Sequence, residues 1–332
     1  IVMTKPQTNI TLTSNLPDIP IGRLPAANST EAANMVDKTL AYYNALPGQS
    51  NSFGEWKMKL DFVVDDDNDG GPAFHTVMNN TLQSIFEIPA NTNLKEYNVR
   101  KLYLDSFQGQ STAGGRRYPQ VNQAIANDMG NSLYLFYFGH GGISGWAQER
   151  VFTTDEIQAA NNFSNIYSRF PFVSTITCEF TLWDEPGTSS AGEQLMKLKQ
   201  GGPASMITSS RAVGVGYGID FTNLYTREIF KLTNDDFISI GDAHLNAKKL
   251  KPSDPNHFKV NVLGDPAMKL SRPKRLLVID NIESPIPGLI RGLDFVKVTG
   301  HINNANGTLN NTFNGRVVIN IFDKKLNKKT LN

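Results

Sequence analysis

The 332-residue chain has a single cysteine, Cys178, so it can form neither an intrachain disulfide nor a zinc site built on several cysteines. It also lacks an excess of charge, because 32 basic side chains oppose 31 acidic ones and leave a net charge of +1. This balance gives no overall field that would attract nucleic acid or an anionic membrane, and we expect no nucleic-acid partner. No run approaches the roughly 18 apolar residues of a membrane span.

The hydrophobic content of 39% and the charged content of 19% are typical of a folded globular protein. Apolar, β-branched runs alternate along the chain with stretches of helical pattern, which predicts a mostly parallel sheet covered by helices on both faces. The predicted strands are 60–64, 99–104, 133–138, 172–177 and 204–208. The predicted helices are 29–46, 118–129, 154–160, 190–199 and 217–232.

The first of these helices has clear end signals. Ser29 or Thr30 can cap its start, and Pro47-Gly48 stops it near Leu46. Its apolar residues fall at helical spacing, which predicts that they form the buried face. These residues are Ala33, Val36, Leu40 and Tyr43.

The pattern changes after residue 272. From Pro273 onward the helical periodicity stops, and short strand candidates at 276–279, 295–299 and 316–322 are separated by Asn-Gly turns. We therefore predict two domains, an α/β domain over 1–272 and a small β module over 273–332. Because the chain begins at Ile1 and ends within this strand-rich region, we expect a piece of a longer protein with a truncated β module.

A thiol and an imidazole stand where two of the predicted strands end. Strand 133–138 runs into Gly139-His140, and strand 172–177 runs into Cys178. In open α/β sheets, the carboxyl ends of the strands are where ligands bind and chemistry takes place. A free thiol is only a few per cent ionised at neutral pH, so a nearby imidazole is needed to activate it or to protonate a leaving amine. The pair predicts a cysteine peptidase with His140 and Cys178 as its catalytic residues, whereas alone each would usually be structural.

The segments around these residues resemble the gingipain family of cysteine peptidases. Within it they are most similar to the enzymes that remove C-terminal sorting domains from type IX secretion cargo. The similarity extends from Gly22-Arg23 to the β module. The segments that carry it are Gly139-His140-Gly141-Gly142, Gly145-Trp146-Ala147-Gln148-Glu149-Arg150, Thr177-Cys178-Glu179-Phe180, Ser190-Ala191-Gly192-Glu193 and Leu263-Gly264-Asp265-Pro266.

This resemblance implies a caspase-like three-layer α/β/α sandwich followed by an immunoglobulin-like module, with a further catalytic subdomain expected before residue 1. It implies His140 and Cys178 as a dyad, a thioester intermediate, and the backbone N–H groups of Cys178 and Gly141 as oxyanion donors. Each such donor is typically worth about 2.7–4 kcal/mol in the transition state. Glycine at 141 suits that role, since a Cβ would obstruct a bound carbonyl.

The family also orients its histidine with an acidic side chain from an earlier strand end. Strand 60–64 leads into an acidic run, and aligning the strand indicates Asp66, whereas aligning Gly70-Gly71 would indicate Asp69. We take Asp66 as the predicted orienting residue. Such a carboxylate would hold the imidazole in one tautomer and stabilise its cationic form.

The same acidic run fits the first half of a calcium-binding loop. Asp65, Asp67 and Asp69 alternate before Gly70, but the twelfth position, which requires glutamate, is Thr76. The run therefore does not fit the EF-hand pattern, and the alternatives are a structural calcium ion held by these carboxylates or a solvated acidic turn. His75 follows, but no second histidine stands at a zinc-ligand spacing from it. We expect no required cofactor.

Three residues close to the His and Cys segments are candidates for the substrate cleft. Trp146 and Trp183 could line it or could equally belong to the core, and Glu179 should point to the opposite face if strand alternation continues past Cys178. The resemblance implies protein or peptide substrates, with other type IX secretion components and lipopolysaccharide as further partners. It implies a location at the bacterial outer membrane or cell surface, or secretion. Two alternatives are open, an Arg- or Lys-specific secreted protease and a non-catalytic secretion or adhesion component.

Overall fold

The computed structural model describes residues 16–43, 54–67, 74–86, 97–159, 169–185, 187–233, 236–272, 275–304, 306–315 and 317. Its strands are β1 (Gly22–Arg23), β2 (Lys59–Val64), β3 (Asn98–Tyr103), β4 (Gln110–Thr112), β5 (Gly115–Arg117), β6 (Tyr134–Phe138), β7 (Gly141–Gly142), β8 (Gly145–Trp146), β9 (Phe152–Thr153), β10 (Phe172–Ile176), β11 (Ser205–Ser209), β12 (Leu232–Thr233), β13 (Asp236–Phe237), β14 (Val260–Leu263), β15 (Arg275–Glu283) and β16 (Lys297–Asn304). Its α-helices are α1 (Ser29–Tyr42), α2 (Phe74–Phe86), α3 (Pro119–Asp128), α4 (Thr154–Ala159), α5 (Ala191–Lys197), α6 (Val215–Ile229) and α7 (Ile240–Lys249). Short 3-10 helices lie at Glu55–Met58, Leu104–Ser106 and Pro255–Lys259.

A seven-stranded sheet organises the first of two compact units, Ile1–Arg272. The strand order is β1-β14-β11-β10-β6-β2-β3. From β11 to β3 all neighbours are parallel, while β14 runs antiparallel to β11 and carries β1 parallel to itself. No helix in these described ranges is long and apolar enough to cross a bilayer.

Both faces of the sheet are buried. Along β6, Tyr134, Phe136 and Phe138 belong to one hydrophobic cluster and Leu135 and Tyr137 to another. The first cluster includes residues of α2, α6 and α7, and the second includes residues of α3, α4 and α5. The result is helix, sheet and helix in three layers, which confirms the predicted α/β/α sandwich. A strand buried on both sides shows the continuous apolar run that the sequence displays.

All five predicted strands are confirmed, with ends that differ by one residue at most. The sequence analysis missed β1, β14, α2 and α7. The first two are short and run opposite to the other five strands of the sheet, so neither fits a regular strand–helix repeat. The start of α2 follows the acidic run, whose residues 68–73 lie outside the described part of the chain.

The predicted buried face of α1 is wrong. Its buried residues are Met35, Lys38, Ala41 and Tyr42. Val36, Leu40 and Tyr43 are each more than a third exposed. The capping residue is Asn28, which accepts from the N–H of Glu31, and not Ser29 or Thr30. Residues 44–48, where the helix was expected to end, lie outside the described residues.

Lys38 explains the different orientation of α1. Its Nζ donates to the carbonyl oxygens of Met196 at 2.6 Å and Gly201 at 3.2 Å, close to the C-terminal end of α5. Complete burial lowers the pKa of Lys38 to about 7. The helix therefore turns its lysine inward because backbone acceptors are available there, and the apolar periodicity does not reveal this.

The second unit, Pro273–Asn332, contains the antiparallel pair of β15 and β16 with an irregularity between Ile279 and Asn281. The predicted strands at 276–279 and 295–299 fall on these two. Of the third predicted strand, 316–322, residue 316 and residues 318–322 lie outside the described residues. An immunoglobulin-like arrangement for this module stays a prediction.

Replacing Lys38 by methionine should flatten the pH dependence of stability. The pKa of Lys38 is about 7 in the folded chain and 10.5 as its ordinary value, so between these pH values the unfolded chain binds more protons. The free energy of unfolding should then rise with pH across this window in the wild type, and rise less in Lys38→Met. Urea unfolding at pH 7, 8.5 and 10 measures both slopes. Equal slopes would show that Lys38 does not titrate in this range.

Candidate active site

The register of four parallel strands aligns their carboxyl ends in one row. Val64 pairs with both Tyr103 and Phe138, and Phe138 pairs with Ile176. Two residues beyond the four strand ends lie Asp105, Asp66, His140 and Cys178. One pattern of strand pairing thus brings two carboxylates, an imidazole and a thiol to the same edge of the sheet.

Cys178 and His140 line one cleft at this edge. Both are partly exposed, and the Cys178 sulfur lies 3.9 Å from the carbonyl oxygen of Val213. The His140 ring meets the Phe74 ring edge to face, with 5.5 Å between centroids. Nε2 of His140 is buried and has no hydrogen-bond partner among the described residues. The imidazole is therefore held by ring packing and has a nitrogen available for proton transfer.

Asp65 holds the backbone of His140 in place. Its Oδ2 accepts from the His140 N–H at 2.7 Å, and its Oδ1 accepts from the Asp66 N–H at 3.0 Å. In the next peptide unit, the carbonyl oxygen of His140 accepts from the Tyr137 hydroxyl at 2.5 Å and from the Ala147 N–H at 2.9 Å. Burial raises the pKa of Asp65 to about 7. The position of the imidazole thus depends on a carboxyl group that has been moved out of water.

Gly139 makes this contact possible. Its φ is +157°, and a Cβ added there would lie 2.2 Å from the Cβ of Asp65. Real Cβ atoms do not approach this closely, so only glycine lets the chain pass over Asp65 between β6 and His140.

The start of α5 connects two loops. One follows β6 and carries His140 (residues 139–144, the His140 loop), and the other follows β10 and carries Cys178 (residues 177–190, the Cys178 loop). The Ala191 N–H donates to the carbonyl oxygen of Ile143, and the Gly192 N–H donates to that of Phe180, both at 2.8 Å. Ser190 caps the helix and forms a capping box with Glu193, and its hydroxyl also accepts from the Leu182 N–H. The Ser190–Glu193 segment therefore ties together the two loops that carry the candidate catalytic residues.

Gly141 lies beside the residue that precedes Cys178. A Cβ on Gly141 would be 2.4 Å from Oγ1 of Thr177, so Gly141 packs directly against the Thr177 side chain. This places the two predicted oxyanion donors, the N–H groups of Gly141 and Cys178, on neighbouring segments.

Asp66 is buried at the same edge, where its Oδ2 accepts a hydrogen bond from the Tyr118 hydroxyl at 2.8 Å. Within the acidic run it is Asp65 that accepts a hydrogen bond from His140, and the donor is the backbone N–H of His140. Asp66 as the residue that orients the imidazole stays a prediction, and its alternative Asp69 lies outside the described residues.

The acidic run divides between two groups of potential metal ligands. Asp65 and Asp66 approach the buried Glu149, and Asp67 approaches His75 and Asp105, with ligand atoms within 4.8 Å of one another in each group. His75 lies 3.6 Å from Asp67 and 3.5 Å from Asp105, and its ring stacks on Tyr103. The predicted calcium ion stays a prediction. Glu149 and Asp105 were missed because they are remote in sequence and reach the run only through the sheet register.

The predicted cleft residues do not line the cleft. Trp146 is completely buried and stacks on Tyr137, with 4.5 Å between ring centroids. Trp183 lies at a separate depression, where the Arg23 guanidinium packs 4.0 Å over its ring. β10 ends at Ile176, so the alternation assumed for Glu179 stops before it, and Glu179 adopts a left-handed φ of +48°.

The opposite wall of the cleft was missed. Phe74 from α2 and the segment Val213–Val215, which leads into α6, line it together with Gly218. The glycine-rich run that follows β11 is the signal that could have revealed this wall, because it too stands after a parallel strand.

Replacing Gly139 by alanine should destabilise the protein by about 1–3 kcal/mol, since the new Cβ overlaps Asp65 and forces the backbone to shift. Gly142→Ala is the matched control, because a Cβ there meets nothing within 4 Å. Urea unfolding of both variants measures the difference. A Gly139→Ala variant as stable as Gly142→Ala would contradict the role assigned to Asp65 and Gly139.

Comparison with known proteins places the chain in a family. The sequence model of peptidase family C25 matches residues 3–271. No curated protein sequence matches the chain.

Solved structures of similar fold agree with this result. The Arg-specific cysteine proteinase gingipain R has a TM-score of 0.60 at 13% identity, over 80% of this chain and 59% of that one. A complex of the RgpB pro- and mature domains from Porphyromonas gingivalis gives 0.58 at 13% identity, over 80% and 61%. A structure described as a protease gives 0.54 at 16% identity, over 83% and 60%. The chain thus spans about 60% of the length of these proteins, and the likeness shows that they share its fold.

The family match over almost the whole first unit, together with this fold, shows that the chain belongs to peptidase family C25, the gingipain family of cysteine endopeptidases.

Proposed function

We propose that Cys178 is the nucleophile of this peptidase and His140 its general acid and base. The observation that carries this proposal is the pairing of Phe138 with Ile176, which puts His140 and Cys178 at equivalent positions after adjacent strands. Both then line one partly exposed cleft, where a peptide can reach them.

The reaction follows from the two side chains. The imidazole accepts the proton of the Cys178 thiol, and the sulfur attacks the carbonyl carbon of the scissile peptide bond. The tetrahedral intermediate collapses when the imidazolium gives its proton to the leaving amine, which breaks the C–N bond and leaves a thioester. A water molecule or an amine then attacks the thioester, and the thiol is regenerated.

The oxyanion of this intermediate would be stabilised by the N–H groups of Cys178 and Gly141. The close packing of Gly141 on the Thr177 side chain supports this assignment, because it brings together the two segments that carry the donors. Preorganised donors of this kind supply a large part of the rate acceleration in acyl transfer.

Labelling with an electrophilic peptide tests the proposal. Cys178 should react with a peptidyl acyloxymethyl ketone to give a single adduct, and His140→Gln should slow the reaction at least about 100-fold, because it removes the proton-transfer group. Intact-mass spectrometry measures the rate. Cys178→Ala should give no adduct and retain the wild-type thermal unfolding curve.

An equal rate in wild type and His140→Gln would mean that Cys178 reacts as an ordinary exposed thiol. The chain would then fit the non-catalytic alternative, a secretion or adhesion component that keeps the fold without the activity.

We further propose that the substrates are exported proteins, whose C-terminal sorting domains the enzyme removes at the outer membrane or cell surface. The similarity of the His140 and Cys178 segments to this branch of the family supports the assignment. Transfer of the new C-terminus to a lipopolysaccharide amine requires only that an amine replace water at the thioester. The alternative is suggested by gingipain R, which is Arg-specific.

A cargo protein that carries a C-terminal sorting domain should be cut once at the domain junction by the wild type and left whole by Cys178→Ala. With a lipopolysaccharide amine present, the mass of the N-terminal product should increase by that of the acceptor in place of water. Intact-mass spectrometry of the products distinguishes the two. Cleavage of the cargo at internal Arg or Lys residues, with the junction untouched, would favour the alternative.

A further inference from the structure

The cleft beside Cys178 is apolar. Its apolar lining consists of Phe138 and Ile176 at the strand ends, Phe74 of α2, and Val213 and Val215 where α6 begins. Its cavity volume is about 30 Å³, which is space for a small group, and the cleft is open to solvent beyond that volume.

Among the described residues that line the cleft, His140 and Cys178 are the titratable ones. The carboxylates at the same sheet edge are engaged elsewhere. Asp65 accepts from the backbone N–H groups of Asp66 and His140, and Asp66 accepts from the Tyr118 hydroxyl. Neither of them lines the cleft, so no carboxylate of the described residues faces a group bound there.

The position of the sulfur decides which part of a substrate enters this cleft. Cys178 attacks the carbonyl of the residue on the amino side of the scissile bond, the P1 residue, whose side chain starts one atom from that carbonyl. A cleft that includes both Cys178 and the apolar walls is therefore the space nearest to that side chain. A guanidinium or ammonium group would lose water there without gaining a counter-ion, whereas an aliphatic side chain gains from burial.

We infer that the enzyme selects an uncharged, apolar P1 side chain and discriminates against arginine and lysine. This inference deepens the proposed function and rests on it, since it takes Cys178 as the nucleophile. It separates this chain from the Arg-specific activity for which gingipain R is named.

Gly218 limits the size of the P1 side chain that the cleft can hold. A Cβ at this position would lie 3.7 Å from Cε2 of Phe138 and 3.8 Å from Cγ2 of Ile176, which are ordinary contact distances. The glycine thus leaves room in the cleft for one methyl group beside Phe138 and Ile176. Because alanine fits there without displacing any neighbour, Gly218→Ala narrows the cleft and should leave the fold unchanged.

Peptidyl acyloxymethyl ketones that differ only in P1 test the inference on the wild-type protein. The second-order rate of Cys178 alkylation should be at least about tenfold higher with P1 leucine or alanine than with arginine or lysine. Gly218→Ala should lower the rate for leucine more than the rate for alanine. Intact-mass spectrometry gives each rate directly and requires no natural substrate.

The Val215→Asp variant places a carboxylate at the cleft, where it could pair with a cationic P1 side chain. Val215 begins α6, lines the cleft and is 45% exposed, so a carboxylate there stays hydrated and also suits the first turn of a helix. The variant should raise the ratio of the arginine rate to the leucine rate at least about tenfold. Val36→Asp is the matched control, because Val36 lies on α1 with the same 45% exposure and is not among the cleft residues.

Three results would overturn the inference, each in a different way. Faster alkylation by the arginine or lysine probe in the wild type, with Cys178 as the modified residue, would refute the apolar preference and leave the proposed nucleophile intact. Failure of every probe to modify Cys178 faster than a simple thiol reagent would refute the proposed function and the inference with it. An equal change in the rate ratio in Val215→Asp and Val36→Asp would place the P1 side chain outside this cleft.

Discussion

The candidate site depends on the shared register of β3, β2, β6 and β10. If β10 moved by one residue relative to β6, Cys178 would shift by more than 3 Å along the strand and the side chains of β10 would change faces. Since both faces are apolar, hydrophobicity alone specifies this register weakly. Specific pairs supply the rest. The Tyr134 ring of β6 stacks on the Phe172 ring of β10, and the Asp65 N–H donates to the Phe138 carbonyl where β2 ends. A register error between β10 and β6 would break the first contact, and one between β2 and β6 would break the second.

Two of the segments that resemble the gingipain family, those that contain Trp146 and Ser190–Glu193, support the site from outside the cleft. Trp146 lies beneath the His140 loop, where its stacking on Tyr137 anchors the β7–β8 hairpin. The Ser190–Glu193 segment starts α5 and bonds to the His140 loop at Ile143 and to the Cys178 loop at Phe180. Both loops are thus held by elements from the same side of the sheet. A nucleophile and a base must keep their relative position to within a fraction of an ångström, which loops alone do not ensure.

Strand-level periodicity was sufficient to predict the sheet and to bring His140 and Cys178 to one edge, because parallel strands place their carboxyl ends together. It was insufficient wherever a single side chain decides the outcome. The buried face of α1 differs from the expected one because the Nζ of Lys38 donates to two backbone carbonyl groups in the interior. Trp146 could not be assigned to core or cleft without knowing that Tyr137 lies against it. The wall formed by Phe74 and Val213–Val215 comes from two elements that are distant in the chain, and only the folded structure places them opposite the dyad.

The distribution of charge at the sheet edge fits the chemistry of acyl transfer. Negative charge develops on the substrate oxygen during attack, and a carboxylate facing the same low-dielectric cleft would oppose it. Asp65 lies close to His140 but turns both oxygens toward backbone N–H groups, and burial raises its pKa to about 7, so its own charge is weakened. Asp67 and Asp105 lie further along the edge with His75. The carboxylates thus shape the loop that carries the imidazole, while the space in front of the sulfur is left to apolar groups. That separation lets one edge of the sheet combine a rigid, polar support with a neutral binding surface.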